Sequence, residues 1–304
     1  MRPPSSAVAR TAELRAVAGL SGDRPALLSR YHSSPLKIAK AFSVRAGVAR
    51  QLAVVQMDGS PGMLEGDRYL FDWRLTDGVH LYATNQSYTR VHPCESGGTA
   101  ELVQKFDLQA GAVLEWIPEP VMLFRDARFK SETEIDLAEG AVCMISDIFC
   151  PGRLSRGEAF AFGSCDSRLT VRCGGELIHY QRQKWEPSSL PLRNSGCFGE
   201  YTHIGSFMAF SDRITAAHAE KVREAIAGAH ALLPDGVVWG VARLASRGIA
   251  VQAAGRAGWK LQKLLMIAWD GVRRELLGLP PLRLIREAWM NGAEENEKAV
   301  PGQR

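Results

Sequence analysis

Three segments of this chain share one pattern. Leu75-Thr-Asp-Gly78-Val79-His-Leu81, Leu108-Gln-Ala-Gly111-Ala112-Val-Leu114 and Leu137-Ala-Glu-Gly140-Ala141-Val-Cys143 all read Leu-x-x-Gly-Ala/Val-x-apolar. They recur at roughly 30-residue intervals, a period at which supersecondary units stack. Val171-Arg-Cys-Gly174 is a weaker fourth copy. Each glycine supplies the positive φ that a tight turn between strands requires. The flanking residues alternate with period two: Tyr69, Phe71, Trp73 and Leu75 interleave with Arg68, Asp72 and Arg74, and Thr133, Ile135 and Leu137 with Glu132, Glu134 and Asp136. One hairpin cannot bury its own face, so the expected fold is mainly β: stacked antiparallel hairpins forming an elongated two-layer structure. A plain antiparallel sandwich with coincidentally similar turns is the alternative.

A further hairpin is expected ahead of the repeats, from Glu13–Gly19 and Ala26–Tyr31 about a turn at 21–25. The pattern changes after residue 185. Ser211-Asp212 reads as a cap for a helix running to about His230, with Ile214, Val222 and Ile226 inward. Val237–Leu244 and Ile249–Ala253 form a short hairpin turned at Arg247-Gly248. A second helix, about Trp259 to Leu277, places Leu261, Leu264, Leu265, Ala268, Val272 and Leu276 on one stripe and ends at Gly278. Lys260, Lys263, Arg273 and Arg274 on its other face read as solvated, or as a surface for a partner. The organisation expected is a hairpin-repeat region over 1–185, a helix-hairpin-helix part over 186–292 packed on the same domain, and a disordered polar tail over 293–304.

Several function classes are set aside by what the 304 residues contain. A net charge of +4 without a dense Lys/Arg block gives no expectation of nucleic-acid binding. The apolar run Ala141–Cys150 is broken by Ser146 and Asp147, so no membrane span is expected. Arg10, Glu13 and Arg15 break up the N-terminal apolar stretch, so no signal peptide is read. Six cysteines without a Cys-x-x-Cys pair read as reduced thiols, which fits a cytoplasmic address. There is no phosphate loop, dinucleotide fingerprint, nucleophile elbow or His-Glu-x-x-His motif, and the seven histidines are dispersed. Nothing in the spacing of Cys150, His179 and Asp147 recommends a hydrolase, and no enzyme is expected.

What remains is carboxylates set in apolar strands: Asp147 in Cys143-Met-Ile-Ser-Asp147-Ile-Phe-Cys150 and Glu115 in Val113-Leu-Glu115-Trp-Ile117, with Asp67 after the turn Gly59-Ser-Pro-Gly62-Met-Leu-Glu-Gly66. A buried carboxylate needs a cation, a donor or water beside it. Two readings stay open for Asp147: an internal ion pair with Arg125, Arg128 or Arg153, or a hydrated acidic conduit whose oxygen ligands hold a first-row divalent ion loosely.

Five blocks, in order, carry a resemblance: Ser34-Pro-Leu-Lys-Ile-Ala-Lys-Ala-Phe42, Ser60-Pro-Gly-Met-Leu-Glu-Gly-Asp67, Thr84-Asn-Gln-Ser-Tyr-Thr-Arg90, Leu114-Glu-Trp-Ile-Pro-Glu-Pro120, and Asp147-Ile-Phe-Cys-Pro-Gly-Arg153 with Glu158 beyond. Over about 12–290 the chain resembles the urease accessory protein family UreD, called UreH in some lineages. The resemblance implies a non-enzymatic β scaffold with two helices. It implies as partners the urease apoprotein, accessory protein F and the GTPase G, with nickel passing transiently rather than as a bound cofactor. Asp67 and Asp147 match the family's residues for nickel passage, and Glu65, Glu115 and Glu158 are further candidates. Thr89, Arg90, Trp259 and Trp269 are the candidate partner contacts. The chain departs from the family pattern in three places: Glu65 replaces a glycine, Ser146 an aromatic, and Gln181 stands where relatives often place a glutamate. Glu176 or Glu65 is expected to restore charge there. The alternative function is a pure adaptor with no metal passage.

Overall fold

A computed structural model describes residues 10–47, 49–229 and 235–282. The strands in chain order are β1 (Thr11–Ser21), β2 (Arg24–His32), β3 (Leu36–Ala46), β4 (Ala49–Asp58), β5 (Arg68–Leu75), β6 (His80–Asn85), β7 (Thr89–Val91), β8 (Ala100–Leu108), β9 (Val113–Trp116), β10 (Val121–Leu123), β11 (Arg128–Leu137), β12 (Val142–Cys150), β13 (Ser164–Cys173), β14 (Glu176–Trp185) and β15 (His203–Phe210). Helix α1 (Ala216–Gly228), β16 (Val237–Arg243), β17 (Gly248–Gly255) and helix α2 (Gly258–Leu277) complete the fold. The first sheet runs β14-β13-β11-β8-β5-β1-β2, and the second runs β16-β17-β15-β12-β9-β6-β4-β3, with β10 beside β12 and β7 beside β10. The mainly β, two-layer architecture with two helices late in the chain is the one the repeats predict. The hairpins at β1/β2 and β16/β17 also form as expected.

The pairing inside the repeats differs from expectation. The strands on either side of Gly78, Gly111 and Gly140 do not pair with each other. Each glycine turn instead carries the chain from the first sheet across to the second. β5, β8 and β11 then lie side by side in parallel, as do β6, β9 and β12. Parallel neighbours need a long return connection, and a period of roughly 30 residues provides one circuit per repeat. The turns stack as well: Gly78 N–H donates to Ala110 O at 2.9 Å and Gly111 N–H to Glu139 O at 3.3 Å. The stacked hairpins are therefore stacked arches in a solenoid-like arrangement. Period-two alternation is the same in an arch and a hairpin, which is why it does not tell them apart. The degenerate fourth copy is a true antiparallel hairpin, β13/β14, where Gly174 and Gly175 both take positive φ, 58° and 83°. It ends the parallel stack.

Between the sheets lies one core, with Trp73, Phe106, Leu114 and Phe210 among its buried members. A second core lies on the other face of the second sheet, where α1 and α2 cover Val142, Met144, Ile148 and Phe207. The six-residue stripe predicted for α2 is buried there. α1 begins later than Ser211-Asp212: Thr215 is the N-cap, paired with His218 in a capping box, while Asp212 Oδ2 accepts the Gly140 N–H at 2.9 Å. The end expected at His230 and the 293–304 tail lie outside the described residues. Arg273 departs from the solvated face assigned to it and is wholly buried, because a buried carboxylate faces it from the sheet. No helix among the described residues is long and apolar enough to cross a membrane.

Candidate functional site

On β12 the odd residues face the first sheet: Cys143, Ile145 and Phe149 belong to the inter-sheet core. Asp147 has the same parity, so its carboxylate enters the sandwich in a row that is otherwise apolar. It is not alone. On the inner side of the first sheet, Gln104 pairs across to Thr133, Ser131 to Ser167, and Ser167 to Gln183. On the second sheet Gln56 lies beside Asn85, and Asp147 beside Ser206. These polar residues form a belt across the interior. A cavity of about 140 Å³ follows it, walled by both sheets. About 10–15 Å³ suffices for one water, so the space admits several.

Asp147 is exposed to this space although protein surrounds it. That enclosure raises its carboxyl above the ordinary carboxylate value, opposed in part by a hydrogen bond from the Ile148 N–H. It has no ion pair among the described residues, so the Arg125, Arg128 and Arg153 partners do not form. Arg153 instead clasps Glu158 through two hydrogen bonds, Nε to Oε2 at 2.7 Å and Nη2 to Oε1 at 2.5 Å, and lies 4.1 Å over the Phe124 ring. This clasp holds Glu158 below the ordinary carboxylate range. Gln56 is 3 % exposed, and its Nε2 on the cavity wall has no hydrogen-bond partner among the described residues.

The other candidates sit elsewhere. Asp67 is buried and braces its own turn, Oδ2 accepting the Leu64 N–H at 2.8 Å, away from the cavity wall. Glu65 accepts the N–H groups of Ser96 at 3.0 Å and Gly98 at 2.5 Å, which hold its carboxyl below the usual range. Neither it nor Glu176 reaches the cavity wall, where Gln181 stands without a substitute carboxylate beside it; the carboxylates that do line the wall are Asp58, Glu119 and Asp147. Thr89 and Arg90 on β7 line the cavity, and Arg90 is exposed.

Glu115 is wholly buried on the helix side. Its Oε1 accepts from His80 Nε2 and Arg273 Nη1, and its Oε2 accepts from Trp269 Nε1 at 2.5 Å. Burial alone would raise its pKa, but His80 and Arg273 outweigh burial and the carboxyl lies below its ordinary value. With both oxygens engaged, Glu115 is a structural anchor rather than an ion ligand. Trp269 is 4 % exposed, stacked 5.5 Å from Tyr82, and so has no free face for a partner. Trp259 is half-buried, with Lys260 Nζ 5.5 Å over its ring.

Among the described residues no three His, Cys, Asp or Glu side chains converge on a point that could hold a metal. The five expected ligands are scattered over separate turns and strands. The belt itself went unread in the sequence. Its signal was there: Gln104 breaks Leu102-x-Gln104-x-Phe106-x-Leu108, and Gln56 ends Leu52-x-Val54-x-Gln56.

The chain matches the model of the UreD urease accessory protein family over residues 10–287. It is 30% identical over 250 residues to the urease accessory protein UreD of Acetivibrio thermocellus, covering 82% of this chain and 92% of that one. It is 32% identical over 231 residues to the UreD of Haloquadratum walsbyi, covering 75% and 73%, and 27% identical over 209 residues to the urease accessory protein UreH of Helicobacter hepaticus, covering 69% and 81%. The chain belongs to the UreD family of urease accessory proteins.

Proposed function

We propose that this protein passes Ni²⁺ toward urease through its own interior while bridging the urease apoprotein to accessory protein F and the GTPase G. The observation that carries the reading is the inter-sheet polar belt, in which Asp147 faces a cavity of about 140 Å³ and has no ion pair among the described residues. Carboxylate, amide and hydroxyl oxygens hold a first-row divalent ion weakly, which suits transit and disfavours a resident site. No catalytic role is assigned, and nickel is cargo rather than cofactor.

The test is Asp147→Asn in cells carrying a urease operon, reading complex assembly by pull-down and nickel in purified urease. Assembly is expected to be unchanged and nickel content to fall several-fold. Normal nickel loading rejects the passage and leaves the adaptor reading, in which the chain only holds partners together. In that case a variant at Trp259 should abolish co-purification while the Asp147 variant behaves as wild type.

A further inference from the structure

On the helix side of the second sheet, Cys150 ends β12 and His203 begins β15. The strands are antiparallel with Phe149 opposite Ile204, so the next step sets Cys150 opposite His203. Cys150 belongs to the helix-side core, away from the cavity. Both side chains converge under the first turn of α2. A Cβ added to Gly258 would lie 3.3 Å from Cys150 Sγ, 3.4 Å from the Tyr88 hydroxyl and 3.6 Å from His203 Cδ2. A side chain at position 258 would press on all three groups.

His203 is 5 % exposed, and its two nitrogens are unequal. Nδ1 lies 2.8 Å from Thr202 Oγ1, whose hydroxyl donates to Arg256 O at 3.4 Å. With that proton committed, the Thr202 oxygen accepts, Nδ1 carries the imidazole proton, and Nε2 keeps its lone pair. Nε2 adjoins Cδ2, the ring atom nearest Gly258, and has no hydrogen-bond partner among the described residues. One nitrogen pinned by a second group and the other bare is how metal-binding histidines are oriented.

We propose that Cys150 and His203 form a second cation station, distinct from the Asp147 cavity, for a borderline divalent ion that accepts thiolate and imidazole. The donor set favours Ni²⁺, Co²⁺ or Zn²⁺ over Mg²⁺ or Ca²⁺. The Tyr88 hydroxyl stands beside it. Binding replaces the S–H bond with an S–metal bond and releases one proton to solvent. Burial pushes the Cys150 thiol up to about 12, so that exchange makes the hold weak. Two protein ligands make it weaker still, as an exchangeable station requires.

The probe is Co²⁺, titrated into the full chain carrying Cys197→Ser, which removes the exposed thiol. A thiolate-to-cobalt absorption band is expected. It should vanish with Cys150→Ser, bind Co²⁺ at least tenfold more weakly with His203→Gln, and weaken about tenfold with Thr202→Val, the usual size of an outer-shell loss. Gly258→Ala should weaken it while leaving both ligands in place. Asp147→Asn shifts the strength of binding, because the Asp147 charge acts on the Cys150 thiol, but should leave the band in place, which separates this station from the passage. No band in the Cys197→Ser chain, or a band that survives Cys150→Ser, overturns the proposal. Should Cys150→Ser fail to fold, the Gly258→Ala and His203→Gln titrations decide it.

Discussion

Replacing Glu115 by Gln tests the anchor between α2 and the second sheet. The substitution keeps the side chain's size, removes the charge and turns one of the two accepting oxygens into an N–H donor. Arg273, wholly buried, then loses its counter-ion while its Nη2 already has no hydrogen-bond partner among the described residues. Breaking one side of a buried pair costs about 3–5 kcal/mol, because an uncompensated charge stays in the interior. At about 2–4 °C per kcal/mol for a domain of this class, the melting midpoint should fall by on the order of 10 °C. Circular dichroism melts of wild type, Glu115→Gln, Arg273→Met and the double variant Glu115→Leu/Arg273→Met read this directly. The double variant should recover only part of the loss, since it removes the uncompensated charge but leaves the buried Trp269 and His80 N–H groups without their acceptor. The pH dependence has a fixed sign. The Glu115 carboxyl titrates below its usual 4.5 when folded, so its contribution is complete above 4.5 and is lost as pH falls through the folded value. A Glu115→Gln chain within about 1 kcal/mol of wild type at neutral pH, on the same scale, would refute the reasoning.

Gly111 takes φ 63° in open space, its nearest neighbour to an added Cβ being the Gly78 Cα at 4.0 Å. Gly111→Ala should therefore cost about 1–2 kcal/mol from backbone conformation alone, and Gly111→Asn less; equal urea midpoints for both variants and wild type would contradict the arch geometry. Asp147 titrates above its usual value in the folded chain, so its ionised form opposes folding, and stability falls as pH rises through that raised value. Asp147→Asn should raise the melting midpoint at neutral pH, with the gain shrinking as pH falls toward the ordinary carboxylate range; a lower midpoint at neutral pH would contradict it.

The strands, the glycine turns and both helices were legible in the chain because each rests on local chemistry. Period two marks a half-buried strand, positive φ needs glycine, and the stripe from Leu261 to Leu276 has nowhere to go but a core. Asp147 was legible for the same reason, as a charge in an apolar row. Alternation says which face a residue takes but never which strand lies beside it. So the arches read as hairpins, Glu115 and Asp147 looked alike, and Arg273 and Trp269 looked like surface. Tertiary pairing separated them: α2 brings Arg273 158 positions along the chain to Glu115 and leaves Asp147 facing open space. The same pairing sets His203 opposite Cys150, since contacts between distant segments are decided by strand order and register, which no local pattern encodes.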